Sequence, residues 1–237
     1  MNQQLTVEDK GRRLVILVSR SDRSTLEIAV TPAGEVEVAA PLAATDAEIA
    51  ARVHRRSRWI HTQLRYFDQF RPRTPTRRWV PGETHRYLGR PYRLRIGDTN
   101  ASSGVTRTRG FLIVDGVSYD DSDGIRSTVE AWMRRESRTV FTASISRSAG
   151  RFVQSGVTPH RLIIRPMSAR WGSMSPSGTL SINPALVQGS IELIDYVVTH
   201  ELAHRIEPDH SARFVELMNH VMPDHAERKV KLERALA

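Results

Sequence analysis

Alternating apolar and polar residues dominate the first forty positions of the chain. A short apolar run at residues 14–18 and alternating runs at 26–30 and 36–38 predict β-strands. The residues between the last two runs, 31–34, contain Pro-Ala-Gly and are typical of a hairpin turn, and Pro41 ends the third strand. We therefore predict that the chain begins with an antiparallel sheet.

A helical period replaces this alternation from residue 45 onwards. Thr45 and Glu48 have the spacing of a capping box, in which each side chain bonds to the backbone of the other residue. Apolar residues then recur at helical spacing between Ile49 and Phe67, with Trp59 beside them. The first sheet is thus predicted to be followed by one helix.

Strand patterns return in the middle of the chain. Residues 79–96 predict two strands joined by a tight turn at Gly89-Arg90, and residues 111–114 predict another strand. Residues 98–110 are rich in Asn, Ser, Gly and Thr and predict an exposed loop. A polar break at residues 120–124 then marks a predicted domain boundary.

This boundary divides the chain into a β-rich N-terminal accessory domain, residues 1–120, and a second domain, residues 121–237. The second domain is predicted to contain a long helix from residue 125 to about 148, short strands at 161–165 and 179–182, a short helix after Asn183-Pro184, and helices at 191–206 and after residue 211. Pro208 cannot continue the helix before it. The overall prediction is an α+β fold.

Composition narrows the class of protein. The chain has 237 residues, 39% of them hydrophobic, which is ordinary for a globular protein. No apolar run approaches the length of a membrane span, and the N-terminal residues lack the pattern of a signal peptide. Cysteine is absent, so disulfides and cysteine metal sites are excluded. These features predict a cytoplasmic protein.

The formal net charge of +9 changes the expected partners. Arginines crowd the predicted first helix, and a Pro/Arg linker follows at residues 71–78, so residues 52–78 form the most basic region of the chain. Such a region is suited to contact with nucleic acid. The alternative is a solvated helix face without a dedicated partner.

The chemistry of the chain is concentrated in the sequence His200-Glu201-Leu202-Ala203-His204, which has the form H-E-x-x-H. Residues four apart lie on one face of a helix, so the two histidines can bind one metal ion. Glu201 points about 100° away, where its carboxylate can meet a metal-bound water and act as general base. Pro208 lets the chain turn back, which brings His210 towards the same metal. This pattern predicts one zinc ion and hydrolytic chemistry.

Three questions remain open for this region. A fourth protein ligand from Asp209, Glu216 or Glu227 would close the site and make it structural, leaving Glu201 without a water to activate. Asp195 either orients a ligand histidine or lies on the helix surface. A third group, His220 and His225, supplies either proton donors or ordinary exposed side chains.

The segment before the zinc motif is a candidate for substrate binding. Arg170, Trp171, Gly172 and Ser173 are expected to form an edge strand above the metal, where an extended peptide could add to the sheet. The alternative is a structural turn with a packed tryptophan.

Four motifs in this order resemble a known family. They are R-W-G-S at 170–173, S-I-N at 181–183, I-D-Y-V-V-T-H-E-L-A-H at 194–204 and P-D-H-S-x-x-F at 208–214. Together they resemble the YgjP-like metallopeptidases, a bacterial family of zinc-dependent hydrolases. Family members often carry Cys where this chain has Met174 and Ala203, and an aromatic residue where it has Val215.

The resemblance implies a zincin-like second domain with its H-E-x-x-H helix packed on a small sheet. It also implies that His200, His204 and His210 bind zinc and that Glu201 is the catalytic acid and base. The family is similar to the SprT and WLM peptidases, which are associated with DNA–protein crosslink repair. We therefore expect a zinc peptidase that acts on proteins or peptides, including DNA-associated proteins. The competing hypothesis is a metal-stabilised, DNA-associated accessory protein with little or no turnover.

Overall fold

The computed structural model describes residues 2–9, 12–70 and 77–236 and divides the chain into two compact units. The first unit is formed by Met1–Arg73 and the second extends from Thr74 to Leu236. The predicted boundary after residue 120 falls inside the second unit. Most of the predicted Pro/Arg linker, residues 71–76, lies outside the described residues.

The described part of the first unit is a sheet followed by a helix. Its elements are β1 (Asn2–Asp9), β2 (Arg12–Ser21), β3 (Glu27–Val30), β4 (Val36–Pro41) and α1 (Asp46–Asp68). The strands lie in the order β1-β2-β4-β3. The predicted hairpin of β3 and β4 is confirmed, with Gly34 at a φ of 77° in its turn.

The prediction of an antiparallel sheet was wrong, because β4 lies parallel to β2. The chain crosses from β2 to the far edge of the sheet, forms β3 there, and returns as β4 between the two. Because β3 runs opposite to β2, the strand inserted between them is parallel to β2 and antiparallel to β3, and the sheet is mixed.

The predicted capping box and helix are confirmed in α1. Glu48 accepts hydrogen bonds from the Thr45 backbone N–H at 2.8 Å and from its hydroxyl at 2.9 Å. One face of the helix buries Ile49, Val53 and Ile60 in the core that the sheet also supplies. Full burial of each such side chain contributes roughly 1.5–3 kcal/mol. The opposite face of α1 is left to solvent.

The second unit contains two further sheets and four α-helices in its described residues. The first sheet has β5 (Thr84–Tyr87), β6 (Arg90–Ile96), β7 (Gly104–Thr108) and β8 (Phe111–Asp115) in the order β5-β6-β8-β7. The second sheet has β9 (Arg161–Ile164), β10 (Gly172–Met174) and β11 (Thr179–Ile182) in the order β10-β11-β9. The helices are α2 (Ser122–Ala149), α3 (Ile191–Ala203), α4 (Ala212–Val221) and α5 (His225–Leu236). None of the helices in the described parts of either unit is long and apolar enough to cross a membrane.

Both sheets of the second unit are mixed, and one strand lies where a loop was predicted. β6 pairs with β8 in parallel, as β9 does with β11. The tight turn predicted at Gly89-Arg90 is present one residue earlier, at Leu88 and Gly89, which both have positive φ. β7 occupies part of the predicted loop and pairs with β8, although only two of its five residues are partly buried.

A single core explains why the second unit begins before residue 120. Leu94 and Leu112 of the first sheet share this core with Ile125 of α2 and with Ile194 and Leu202 of α3. The strands at 84–115 therefore cannot form a domain apart from the helices that follow. They are part of the scaffold that holds α3.

A partly buried ionic contact joins α3 to α2. Asp195 is 7% exposed and accepts hydrogen bonds from Ser144 at 2.6 Å and from two nitrogens of Arg147 at 3.0 and 2.7 Å. The carboxylate is thus bonded to α2, which is neither of the roles predicted for it. Because α3 also carries the H-E-x-x-H motif, this contact helps set the position of the site.

Candidate active site

The last turn of α3 carries the first part of the motif. His200 and Glu201 lie in this turn, and His204 is the residue that caps the helix. The helix is shorter than the predicted 191–206 range, but His204 keeps a helical backbone with φ −64° and ψ −12°. The four-residue spacing therefore still places the two imidazoles on one side of the chain.

A tight reversal brings the third histidine back to the first two. The Ala203 carbonyl accepts hydrogen bonds from the backbone N–H groups of Ile206 and Glu207 at 2.9 and 3.0 Å, which wraps the chain around the end of α3. His210 then lies immediately before α4. Its Nε2 atom is 3.0 Å from the Nε2 atom of His200.

The three histidines form a cluster that fits a metal ion. Their candidate ligand atoms all lie within 4.8 Å of one another. In a tetrahedral site with Zn–N distances of about 2.0–2.1 Å, two ligand nitrogens are separated by about 3.3 Å, close to the observed 3.0 Å. His204 Nδ1 is 3.1 Å from the Glu207 carbonyl, so it can donate its proton there and leave Nε2 as the ligand atom.

The protonation of the cluster also suits a metal. Burial, helped by the neighbouring imidazoles, lowers the pKa of His200 to about 3. The same two causes lower the pKa of His210. Both side chains are therefore neutral at pH 7, and a neutral imidazole is the form that binds metals.

Phe214 forms a floor under the cluster. Its ring centroid lies 5.0 Å from that of His200, 4.7 Å from that of His204 and 4.8 Å from that of His210. The sequence indicated Phe214 only as an apolar position of a helix and as the end of a family motif. Its contact with all three rings depends on how α4 folds back on α3.

Glu201 is separate from the cluster and points towards the second sheet. It is 7% exposed, and burial raises the pKa of its carboxyl group to about 7, although Arg170 and a hydrogen bond from the Met174 backbone N–H oppose the rise. A carboxyl group with a pKa near 7 can both accept and release a proton at neutral pH. A single residue that acts first as general base and then as general acid needs such a pKa.

The strand β10 forms the wall of an open cleft above this site. The cleft has a volume of about 670 Å³, and Arg170, Gly172 and Ser173 line it together with the three histidines and Glu201. Trp171 instead packs against the core, and its carbonyl accepts a hydrogen bond from the Asn183 N–H at 2.9 Å. As an edge strand, β10 has one side free of sheet partners among the described residues.

Glu201 and Gly172 approach each other more closely than a residue with a side chain at position 172 would allow. A Cβ atom added at Gly172 would lie 2.7 Å from Glu201 Cγ and 3.0 Å from Oε1. The absence of a side chain here thus lets the carboxylate rest against β10. Neither this approach nor the Met174 hydrogen bond could be found from spacing along the sequence, because both join α3 to a strand almost thirty positions earlier.

We expect Gly172→Ala to lower peptidase activity at least about tenfold without loss of metal binding, because a displacement of about 1 Å of a catalytic group can cost about 10²-fold in rate. The added methyl group must push Glu201 away from its position. The three histidines are not among its nearest contacts, so the metal site should be kept. Initial rates and metal content would be measured on the same preparation. Gly150→Ala is the matched control, since a Cβ there meets nothing within 4 Å. Unchanged activity in Gly172→Ala would show that the Glu201 position is not important.

The remaining candidates are not members of the cluster. Within residues 2–9, 12–70 and 77–236 the metal-type cluster contains the three histidines and no carboxylate. Glu227 pairs with Lys231 at 2.9 Å, and Glu216 is exposed on α4. His225 lies 3.0 Å from the Asn219 side-chain oxygen, and His220 is exposed.

Comparison with known proteins gives one match over most of the chain. A family model described as the YgjP-like metallopeptidase domain matches residues 24–235. No curated protein matches the chain.

Two crystal structures of archaeal metallopeptidase zymogens show limited similarity. Abylysin of Pyrococcus abyssi is 24% identical, with a TM-score of 0.35 over 41% of this chain and 99% of its own. Jannalysin of Methanocaldococcus jannaschii is 20% identical, with a TM-score of 0.36 over 41% of this chain and 97% of its own. Both scores are too low to establish a shared architecture.

Proposed function

This chain belongs to the YgjP-like metallopeptidase family and is a metal-dependent peptidase, and we propose that it uses a single zinc ion with Glu201 as the general base. The observation that carries this proposal is the convergence of three histidines beside the buried carboxylate of Glu201, which is not itself part of the histidine cluster. This convergence supports a zincin-type site at the end of α3.

His200, His204 and His210 are the proposed ligands. Three imidazoles without a fourth protein ligand are typical of catalytic zinc, whereas structural zinc sites have four. Bound zinc would supply Lewis acidity and lower the pKa of a coordinated water to about 7. The Glu207 carbonyl holds the His204 ring in the required tautomer, and Phe214 keeps the three rings packed together.

Glu201 is proposed to move the proton during peptide hydrolysis. Its carboxylate takes a proton from the attacking water and then gives that proton to the leaving amine. The Met174 N–H holds the carboxylate in place, and Gly172 leaves it the room that it needs. General acid–base catalysis of this kind contributes typically about 10²–10⁴-fold to a rate.

The proposed substrate is an extended segment of a protein or peptide. Its backbone would pair with β10, in the manner of a strand added to a sheet edge, and the cleft would receive its side chains. We propose that Arg170, Gly172 and Ser173 contact it directly. Trp171 would support the strand from the core side.

DNA-associated proteins are the proposed source of these substrates. The net charge of +9 and the arginines of α1 support an association with DNA. We propose that the first unit, which contains α1, is an accessory to the peptidase. The competing hypothesis of an accessory protein with little turnover has the same charge and the same histidines. It differs in predicting no hydrolysis.

Metal removal tests this proposal. We expect about one zinc per chain, hydrolysis of an unfolded protein substrate, loss of that activity with a chelator and its return with added zinc. Metal analysis and release of peptides from a labelled, denatured protein would be followed together. Activity that is insensitive to the chelator would contradict the zinc mechanism. A protein that binds zinc and melts at a higher temperature with it, but cleaves no substrate, would favour the accessory hypothesis.

A further inference from the structure

The solvent face of α1 carries an uninterrupted run of positive charge. No Asp or Glu occurs between Ile49 and Phe67, a stretch that holds five arginines. All five are exposed: Arg52, Arg55, Arg56, Arg58 and Arg65. Within the described residues, no carboxylate forms an ion pair with any of them. Their charge is therefore available to a partner outside the chain.

The two acidic side chains at the start of α1 do not neutralise this face. Asp46 pairs with Arg20 of β2, and Glu48 accepts hydrogen bonds from Thr45. The charge of Asp46 is thus offset by Arg20, whereas Glu48 keeps its negative charge at the first turn and is outnumbered by the five arginines. The field over the middle of α1 stays positive.

An exposed tryptophan lies among the arginines. Arg52, Arg55, Arg56 and Trp59 follow the spacing i, i+3, i+4 and i+7, which places them on one side of a helix. Trp59 is 38% exposed, although a side chain of this size is normally more deeply buried. A flat aromatic surface beside cationic groups is the combination on which unpaired bases stack.

A groove runs beside the first turns of the same face. It has a volume of about 550 Å³, and its polar lining consists of Arg52, Arg55 and the single carboxylate Glu48 of α1 with Ser24 and Thr25 of the segment before β3. Arginine and hydroxyl side chains are the usual donors to phosphate oxygens. The volume lies within the range of about 300–1,000 Å³ that is typical of small-ligand sites, so the groove can hold a nucleotide or two.

We propose that this face of α1 and the adjoining groove bind single-stranded nucleic acid. Arg52 and Arg55, with Ser24 and Thr25, contact the phosphates, and Trp59 stacks on a base. Single strands fit better than duplexes because stacking on Trp59 needs an unpaired base. This inference rests on the DNA-linked part of the proposed function. Its test measures nucleic-acid binding and not hydrolysis, so its outcome is independent of the peptidase mechanism.

Fluorescence anisotropy of the full-length protein with labelled oligonucleotides tests the proposal. The probes are oligo(dT), oligo(U) and a duplex, each of about 20 residues or base pairs, which exceeds the site size of one small binding domain. We expect either single strand to bind more tightly than the duplex, and the comparison of the two single strands shows which sugar is preferred. Affinity should fall steeply between about 50 and 200 mM salt. Absence of binding at low salt, or tighter binding of the duplex, overturns the proposal.

Two variants locate the surface. Arg52→Gln/Arg55→Gln should reduce the slope of log K against log salt by about 1.4, since each phosphate contact on a single strand contributes about 0.7. Trp59→Ala should weaken single-strand binding at least about fivefold.

The matched control, Arg134→Gln/Arg138→Gln on exposed positions of α2, removes the same charge and should leave the slope nearly unchanged. Equal effects of the two double variants would show a general charge effect and overturn the assignment. Hydrolysis of a free, unfolded protein substrate should be the same in all four proteins.

Discussion

Replacing Glu201 by glutamine should reduce peptide hydrolysis by about 10²–10⁴-fold while the protein keeps its metal and its fold. Glutamine has nearly the shape of glutamate but cannot accept a proton. Because the side chain is buried and has a raised pKa, its neutral replacement should not destabilise the unit. The measurement is the initial rate of cleavage of an unfolded protein substrate, with zinc content determined on the same sample.

Glu192→Gln is the matched control for this variant, because Glu192 lies on the same helix with an exposed side chain. It should retain full activity. If Glu201→Gln cleaved as fast as the wild-type protein, Glu201 would not be the base. If it lost zinc in proportion to activity, the carboxylate would act on the metal site instead of on the proton.

The pH profile gives a second view of the same group. A base must be deprotonated, so wild-type activity should fall as the pH is lowered through the pKa of Glu201. Burial raises that pKa to about 7, and a zinc cation nearby would lower it again. The acid limb is therefore expected below pH 7. An acid limb well above pH 7 would not fit this carboxyl group.

Replacing His210 by alanine should weaken zinc binding by more than about 100-fold, since even the groups that only orient metal ligands contribute about 10–100-fold. His210 is the best ligand to remove because it is exposed and lies outside the helices, so the core is not disturbed. Competition with a chromophoric chelator would give the affinity. His204→Ala should behave in the same way, and His220→Ala, exposed on α4, should bind zinc like the wild-type protein.

The loss of zinc binding in His210→Ala should also remove the stabilisation of the folded protein by zinc. A ligand that binds only the folded state adds about 2.7 kcal/mol when its free concentration is about 100 times its Kd. Zinc should therefore raise the melting temperature of the wild-type protein and of His220→Ala, but not that of His210→Ala. An equal rise in His210→Ala would place the zinc elsewhere on the chain.

Periodicity along the sequence predicted the helices well because their apolar faces are built from local spacing. α1 occurs where that spacing and its cap placed it, and α2 covers the predicted range but begins three residues earlier, at Ser122. β1 was not predicted, although Leu5 and Val7 alternate with polar residues, and its ten-residue partner β2 supplies the pairing that the short pattern lacked. β7 was not predicted either, because its residues are largely exposed and its stability depends on pairing with β8.

The parallel pairings and the extent of the second unit depend on contacts between distant parts of the chain. Nothing in the residues of β4 shows that it inserts between β2 and β3, since a buried strand has the same pattern whichever way its neighbour runs. The polar run at 120–124 likewise lies at the start of α2, inside the second unit, and the strands before it share a core with α3.

The candidate site shows the same division. The three histidines and Glu201 could be selected from the sequence, since their spacing along one short segment defines the chemistry. Phe214, Gly172 and the Met174 backbone could not be assigned their contacts, because these arise when α4 and β10 fold against α3. Trp171 was grouped with the cleft residues by its position in a motif, whereas its side chain packs against the core immediately before β10 begins.

X-ray absorption at the zinc edge, measured on zinc-loaded wild-type protein and on His210→Ala with zinc added, is the most direct test of the three-histidine centre. For the wild-type protein we expect three imidazole nitrogens at about 2.0–2.1 Å and one further light atom, with no carboxylate bound through both of its oxygens. His210→Ala should show one imidazole fewer or no ordered zinc at all. An identical spectrum for the two proteins, or a wild-type site with fewer than three imidazoles, would contradict the assignment of His200, His204 and His210 as the metal ligands.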